Sequence, residues 1–402
     1  MIVTRDISVE SGRTKTIREI QRSLAETCEV TTLRLPSFFE THRAFDVAGA
    51  IWEWFKSVLS GQPLPLQCAL YASPAQRRLL VNLISKGEFQ AVYLDMVRCQ
   101  LLLRSLRRAL PHIRVVTDFD DLISRRMDAL VKLNQPFSPG VVGEFIPIFM
   151  RHLIEGPLSR LITRYEAATV GQAEYEMLMA SEAVVLVSSD ERGGFLHTEN
   201  RIHAAVHVIP PPVEIKTFES AMPTTYRFVF VGSDRLLQNR LSIDYLLAMW
   251  RRLGPKTNLH IFGQQERRLP KIAGVCWRGY VPDIAEAYKP GSILLVPAFV
   301  PGGVKTKVTE GWSYGCPVLG NASAFEGIDI EGYPLKTCED HWAPFIVAPA
   351  AHTELFVSAA KLGNAFVHKT LGRDCYARAW QEIMFPSPGQ RMRDTQPDIR
   401  AK

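Results

Sequence analysis

Two stretches of the 402-residue chain carry side chains that can do chemistry. In the first, Lys305, Thr306, Lys307 and Glu310 follow the pair Gly302-Gly303, and Gly315 and Pro317 come shortly after. Gly and Pro stop helices, so the spacing predicts a short helix that begins near Val304 and ends before Gly315. The opening turn of a helix has N–H groups without partners and carries partial positive charge, and Lys305 and Lys307 add two full charges there. Thr306, Lys307 and Glu310 stand three and four apart and share a face. Anion-binding groups with a carboxylate one turn deeper suit a nucleoside diphosphate, its phosphates on the amides and lysines and its hydroxyls on Glu310. A solvated Lys307–Glu310 pair on a surface helix is the competing reading.

The second stretch is Asp118-Phe119-Asp120-Asp121, after the apolar run 113–117. Carboxylates at the carboxyl end of a parallel strand stand where open α/β sheets bind ligands. Asp121 or Ser124 could instead cap a following helix. An Asp-x-Asp of this kind also suggests a phosphatase, although Leu122 occupies the place where that motif has Thr or Val.

Strands and helices alternate along the chain to position these groups. Residues 2–3, 30–35, 68–71, 91–95, 113–117, 183–188 and 206–209 read as strands, and helices are expected over 74–85, 96–110 and 159–180. A glycine turn, 11–13, follows the first strand and puts Gly12 and Arg13 beside the site: Gly12 lets the backbone approach a ligand and Arg13 adds charge. The aromatic run 51–55 reads as a helix belonging to the core. The apolar segment 137–162 reads as a buried helix pair or as a surface dipping into lipid, with burial favoured. Pro210-Pro211-Pro212 opens a linker to about residue 225. Alternation then resumes with strands 227–231, 258–262, 275–278 and 292–296, and with helices 239–253, 283–288, 353–367 and 373–384. These patterns predict an α/β protein of two doubly wound, Rossmann-like sheets facing a cleft. The expected domains are 1–209, a linker 210–225, 226–370, a terminal helix 371–385 that crosses back, and a disordered tail 386–402.

Hydrophobic content of 47% and charge of 22% are ordinary for a globular protein. Seven cysteines, none in a C-x-x-C pair, point to reduced thiols and a cytoplasmic setting. No signal pattern opens the chain, and no apolar run reaches the ~18 residues of a bilayer span. The net charge is +6. Most of it lies in one segment, where Arg77, Arg78, Lys86, Arg98, Arg104, Arg107, Arg108, Arg114, Arg125 and Arg126 outnumber Glu88, Asp95, Asp118, Asp120 and Asp121. That is a local patch for an anionic surface or substrate, not the footprint of a nucleic-acid binder. Helix 96–110 carries Leu102, Leu103, Leu106 and Leu110 on one face and Arg104, Arg107 and Arg108 on the other, for water or acidic head groups.

Four places make the chain resemble the GT-B glycosyltransferases of the group 1 type, family 4 and its relatives. They are Val187-Ser188-Ser189-Asp190-Glu191, Val208-Ile209-Pro210-Pro211-Pro212-Val213-Glu214, Phe230-Val231-Gly232-Ser233 with Asn239, and the run 302–318 followed by Glu326-Gly327. The resemblance is strong over 232–328 and looser over 1–225. It implies the GT-B fold, with a UDP- or GDP-sugar held by the C-terminal domain and an acceptor held mainly by the N-terminal one. Glu310 matches the second Glu of the family's E-x7-E motif, while Gly302 stands at the first. Ser233 replaces a family Arg, and Gln238 or Asn239 stands near a family Lys. Arg235, Arg240, Lys305 and Lys307 are candidates to steady the leaving diphosphate in their place. The donor set is then Gly232, Ser233, Arg240, Gly303, Val304, Lys305, Thr306 and Glu310, with Lys307 and Asp120 as catalytic candidates. Gly12, Arg13, Asp118 and Asp121 lie on the acceptor side.

No cofactor or metal is required by this chemistry, and no His/Cys ligand spacing is present. The expected reaction is hexosyl transfer with retention, to a glycan or lipid-linked acceptor in surface polysaccharide synthesis, at the cytoplasmic membrane face. A non-catalytic nucleotide-sugar binder of the same fold and an aspartate-dependent phosphohydrolase are the alternatives.

Overall fold

The computed structural model describes residues 1–4, 12–36, 44–71, 73–136, 148–196, 204–216, 225–267 and 270–387. Ser11, the segment 137–147 and the tail from 388, on which expectations were placed, lie outside the described residues. The chain divides into two compact units, Met1–Pro210 with Tyr376–Lys402, and Pro211–Cys375.

The first unit is built on six parallel strands: β1 Ile2–Thr4, β2 Thr32–Arg34, β3 Ala91–Asp95, β4 Arg114–Asp120, β5 Ala183–Leu186 and β6 Ala205–Val208. Their order is β2-β1-β3-β4-β5-β6. Its helices are α1 Gly12–Ala25, α2 Ala44–Leu59, α3 Leu66–Tyr71, α4 Pro74–Lys86, α5 Gln100–Ala109, α6 Ile123–Lys132, α7 Ile148–Glu155, α8 Ser159–Ala180 and α9 Ser189–Leu196. Strands β3 and β5 are apolar and buried along their length, as both-face-covered parallel strands must be, apart from Asp95 at the end of β3.

Local pattern misled in several places. Residues 68–71 fold as α3 and not as a strand. The reason is distant: the Glu166 carboxylate on α8 accepts the Leu66 N–H at 2.5 Å and the Gln67 side chain at 2.8 Å, capping the helix start. The turn expected at 11–13 is already helical at Gly12. Residues 51–55 are helical in α2, but Trp52 is 57% exposed. The described part of 137–162 is likewise at the surface, with Ile148 74% exposed.

Two of the three arginines on the polar face of α5 are committed to protein partners. Arg104 pairs with Glu176, while Arg107 binds Glu182 at 2.6 Å and the carbonyls of Ala180 and Ile113 at 2.6 and 2.7 Å. Arg108 alone of the three remains exposed.

The second unit holds five parallel strands, β7 Arg227–Val231, β8 Leu259–Phe262, β9 Val275–Gly279, β10 Ser292–Val296 and β11 Val318–Gly320. Their order is β11-β10-β7-β8-β9, so the winding reverses between β7 and β10. Helices α10 Leu237–Leu253, α11 Thr306–Ser313, α12 Ala343–Val347 and α13 Thr353–Thr370 cover the sheet. The helix expected at 283–288 is a single 3-10 turn, Ile284–Glu286, with Asp283 as its cap. Trp312, fully buried, anchors α11. Its ring lies 4.9 Å from Tyr333 and 5.8 Å from Phe325, and its N–H donates to Tyr333 Oη at 2.9 Å. Helix α14, Arg373–Met384, ends the described chain, and from Tyr376 onward it belongs to the first unit.

Candidate functional site

In an open α/β sheet, ligands bind beyond the carboxyl ends of the strands where the winding reverses. In the second unit those ends belong to β7 and β10. After β10 the chain needs a tight, unhelical return, and Gly302 and Gly303 supply it at φ 116° and 61°, values that a side chain resists. Helix α11 begins at Thr306, two residues after the sequence expectation, because Lys305 takes the N-cap position. The Lys305 ammonium donates to the Gly302 carbonyl at 2.6 Å and stands 3.8 Å from Glu326, whose carboxylate accepts the Gly302 N–H at 3.0 Å.

Lys307 does not pair with Glu310 across the helix face. Its ammonium donates to Asn239 Oδ1 at 2.9 Å, at the start of α10, and lies 4.3 Å from the Phe230 ring center. Asn239 in turn donates to the Ser233 carbonyl at 2.9 Å. It also presses on Gly232, where a Cβ would come within 2.7 Å of the amide carbon, so only glycine fits. Gly232, Ser233, Asn239 and Lys307 therefore converge at the reversal point. Burial drives the Lys307 pKa down to about 7, with repulsion from Lys305 adding to the fall and Glu310 opposing it.

Glu310 accepts from Tyr288 Oη at 3.1 Å, and the Tyr288 ring stacks on Tyr314 at 5.2 Å. Thr306 is exposed at the helix start, and Val304 is half-buried beside it. Arg240 is spent elsewhere: its guanidinium donates to the carbonyls of Asp234 and Arg235 at 2.5 and 3.4 Å, fastening the loop after β7. Asn239, Glu326 and Tyr288 are the participants that spacing did not single out as site residues. Their partners are 68, 24 and 22 residues away, beyond any helical or strand period.

The first unit gathers the other candidates at its own reversal point, beyond β1, β3 and β4. Arg13, near the start of α1, is buried and donates to Asp95 at 2.7 and 2.9 Å, to Asp118 at 2.9 Å and to Tyr93 Oη at 2.9 Å, and lies 3.3 Å from Asp120. Burial opposes its charge, but Asp118, Asp120 and Asp95 outweigh that and hold its pKa well above the usual value. Arg13 was expected to add charge toward a ligand; its charge is instead committed to three aspartates. Among the described residues, a Cβ on Gly12 would meet nothing within 4 Å.

Asp118 is buried and bound on both oxygens, to Arg13 and Tyr93 on one and to the Asp120 N–H at 2.9 Å on the other. A carboxylate so held is not presented as the nucleophile that a phosphohydrolase needs. Asp120 differs. The β4–β5 register shifts between Asp118 and Asp120, and Asp120 has φ 63°, a left-handed backbone outside glycine. Bulges and strained residues of this kind cluster where a side chain is re-aimed for function. Its side chain is 29% exposed. Burial raises its pKa, Arg13 pulls it back, and Asp121 and Asp118 push it up again, to about 6.

The capping reading of Asp121 and Ser124 is not what forms. Helix α6 starts without a side-chain cap of its own, and its N–H groups go to distant carboxylates: Leu122 to Glu191 at 3.0 Å and Ser124 to Glu174 at 3.2 Å. Asp121 is buried and paired with Arg126.

Comparison with known proteins bears on both units. Residues 225–359 match the family described as "Glycosyl transferases group 1". No curated protein sequence matches the chain significantly. Among solved structures, sucrose-phosphate synthase from Thermosynechococcus elongatus superposes with a TM-score of 0.63 at 13% identity, covering 95% of this chain and 97% of that one. The lipopolysaccharide outer core galactosyltransferase WaaB, without ligand, gives 0.56 at 13% identity over 96% and 98%. Anabaena HepE in complex with UDP and glucose gives 0.57 at 11% identity over 95% and 98%. The chain thus has the GT-B fold, and its residues 225–359 are similar to the group 1 glycosyl transferases.

Proposed function

We propose that the protein transfers a hexose from a UDP- or GDP-sugar to a glycan or lipid-linked acceptor. The observation that carries this reading is the Lys307 ammonium at the β7/β10 reversal point, held by Asn239 beside the Gly302-Gly303 loop. A departing diphosphate needs positive charge fixed in advance, and the amides at the start of α11 with Lys305 and Lys307 offer it. Glu310, next to Tyr288, would accept from the donor's ribose hydroxyls. Asp120 would take or orient the acceptor's hydroxyl, with Arg13 and Tyr93 holding Asp118 behind it. The matched family supports retention at the anomeric carbon. A lipid-linked acceptor would place the enzyme peripherally at the inner membrane face, in surface polysaccharide synthesis.

Titration calorimetry with UDP and GDP tests the donor half. Lys307→Met and Glu310→Ala should each weaken nucleotide binding by about 1–3 kcal/mol, the worth of a charged hydrogen bond. Unchanged affinity in both variants would remove the assignment.

One observation favours a second reading, a nucleotide-sugar binder without turnover. Ser233 stands in place of a family cation, and Arg240 is turned onto loop carbonyls. Slow hydrolysis of UDP- or GDP-sugars by the purified protein separates the two, since a pure binder shows none.

A further inference from the structure

Helix α2 turns an apolar stripe away from its own unit. Trp52, Phe55 and Leu59 follow one another at intervals of three and four residues and are 57%, 45% and 71% exposed. The two aromatic rings stack on each other at 6.3 Å. From the same helix, Trp54 donates to Tyr165 Oη on α8 at 2.7 Å, and that hydroxyl donates to the Leu64 carbonyl at 2.8 Å. Helices α2 and α8 therefore meet at this bond. One turn before Tyr165, Leu161 is also 65% exposed.

Among the described residues, the exposed charges left without an ion-pair partner around it are of one sign. Arg160 and Arg164 flank Leu161, both are exposed, and neither has an ion-pair partner among the described residues. The nearby acids are already neutralised: Glu53 by Lys56 at 3.1 Å and Arg77 at 3.0 Å, and Glu155 by Arg151 at 3.1 Å. An aromatic, apolar surface edged by uncompensated cations fits a layer that is oily below and anionic above. No single helix among the described residues is long and apolar enough to cross a membrane.

We propose that the α2 stripe and the start of α8 form a docking surface for an anionic lipid bilayer. Trp52, Phe55 and Leu59 enter the interfacial zone, and Arg160 and Arg164 meet the head groups. The face gives the peripheral placement suggested above its physical contact, but uses residues separate from the donor site. Its test needs neither donor nor acceptor, so a failed nucleotide assay and a failed vesicle assay are distinct results.

The test is co-sedimentation of the full chain with phosphatidylcholine vesicles, with and without phosphatidylglycerol. Binding should require phosphatidylglycerol and weaken with added salt. The double variant Trp52→Ser, Phe55→Ser should lower partitioning by about tenfold or more, from lost apolar burial. Arg160→Ser and Arg164→Ser should each lower it by about fivefold on the anionic vesicles alone. Both positions outside the aromatic stack are solvent-facing, and unchanged thermal melting confirms that the variants fold. Failure of the wild type to bind, or wild-type binding by the aromatic and arginine variants, would overturn the proposal. So would a self-associated chain in sedimentation equilibrium that the aromatic variant dissolves, which would make a second copy the occupant.

Discussion

At Asp120 the backbone and the electrostatics point the same way. A left-handed φ of 63° costs an Asp about 1–3 kcal/mol unless its surroundings compensate, and the pKa near 6 makes the carboxylate a base that is charged at neutral pH yet readily protonated. If Asp120 serves the acceptor, turnover should rise as pH rises through about 6. Asp120→Asn should cut kcat by about 10²–10⁴-fold and leave nucleotide affinity in place. Loss of nucleotide binding in that variant, or a flat pH profile in the wild type, would count against the role. Lys307 gives the opposite sign. With its pKa at about 7 in the free protein, it is largely neutral at higher pH and must take up a proton to meet a diphosphate. Affinity should therefore fall by up to about tenfold per pH unit above 7, with proton uptake measurable by calorimetry in buffers of different ionisation heat. The same shift, down from 10.5, means that the folded chain binds fewer protons than the unfolded one across that window, so stability drops as pH falls from 10.5 to 7. Lys307→Met should abolish this slope and raise the thermal midpoint at neutral pH, even as it weakens the donor. The sequence offered Lys307 as a candidate cation for a phosphate. It could not show that Asn239 holds it, because a contact 68 residues away leaves no trace in local spacing.

The elements were legible where their own residues dictate them. Strand Ser292–Val296 is an unbroken apolar run between polar ends, and helix Ser159–Ala180 has its length and bounds written in its pattern. They were not legible where another element supplies the missing hydrogen bonds. Residues 68–71, short and apolar after a proline, carry no period of their own; α3 forms because Glu166 caps it from α8. The start of α6 depends in the same way on Glu174, a second buried glutamate of α8, whose side chain accepts from the Ser124 N–H and takes the Ser124 hydroxyl. Burial raises the Glu174 pKa to about 7, against the pull of its bonds to Ser124. The folded chain then binds more protons than the unfolded one between pH 4.5 and about 7, and stability is lost as pH rises through that window. Glu174→Gln keeps an acceptor for Ser124 and removes the charge, so it should raise stability at pH about 8 by at most about 3 kcal/mol and flatten this part of the profile. Glu174→Ala leaves the donors of Ser124 without a partner and should cost about 1–3 kcal/mol. Urea titrations of the three proteins at two pH values read both effects. A destabilised Gln variant would show that the carboxylate charge itself holds the helix.

For the whole molecule, the order of units along the chain is not the order in which they are completed. The first unit takes 1–210 and then lacks a helix until residue 376, after the entire second unit has been made. What α14 brings back is core and not decoration. Trp380 is 1% exposed and meets the Tyr93 ring edge-on at 5.5 Å, directly under the network of Arg13 and Asp118. Arg114 donates to the Ile383 carbonyl at 2.7 Å, and Gln381 to the Ser23 carbonyl at 2.8 Å. Removing the Trp380 ring should therefore cost about 3–5 kcal/mol, the usual loss for a large buried aromatic, and the loss should fall on one unit. In hydrogen exchange of the Trp380→Ala protein, β1, β3 and β4 should open faster, while β7, β10 and α11 keep their protection and UDP or GDP binds as before. Because Tyr93 positions Asp118, and Asp118 holds the Asp120 N–H, turnover should fall further than nucleotide affinity does. Equal loss of protection in both sheets, or loss of nucleotide binding along with turnover, would mean that α14 supports the donor site as well and that the returning helix does not act on the first unit alone.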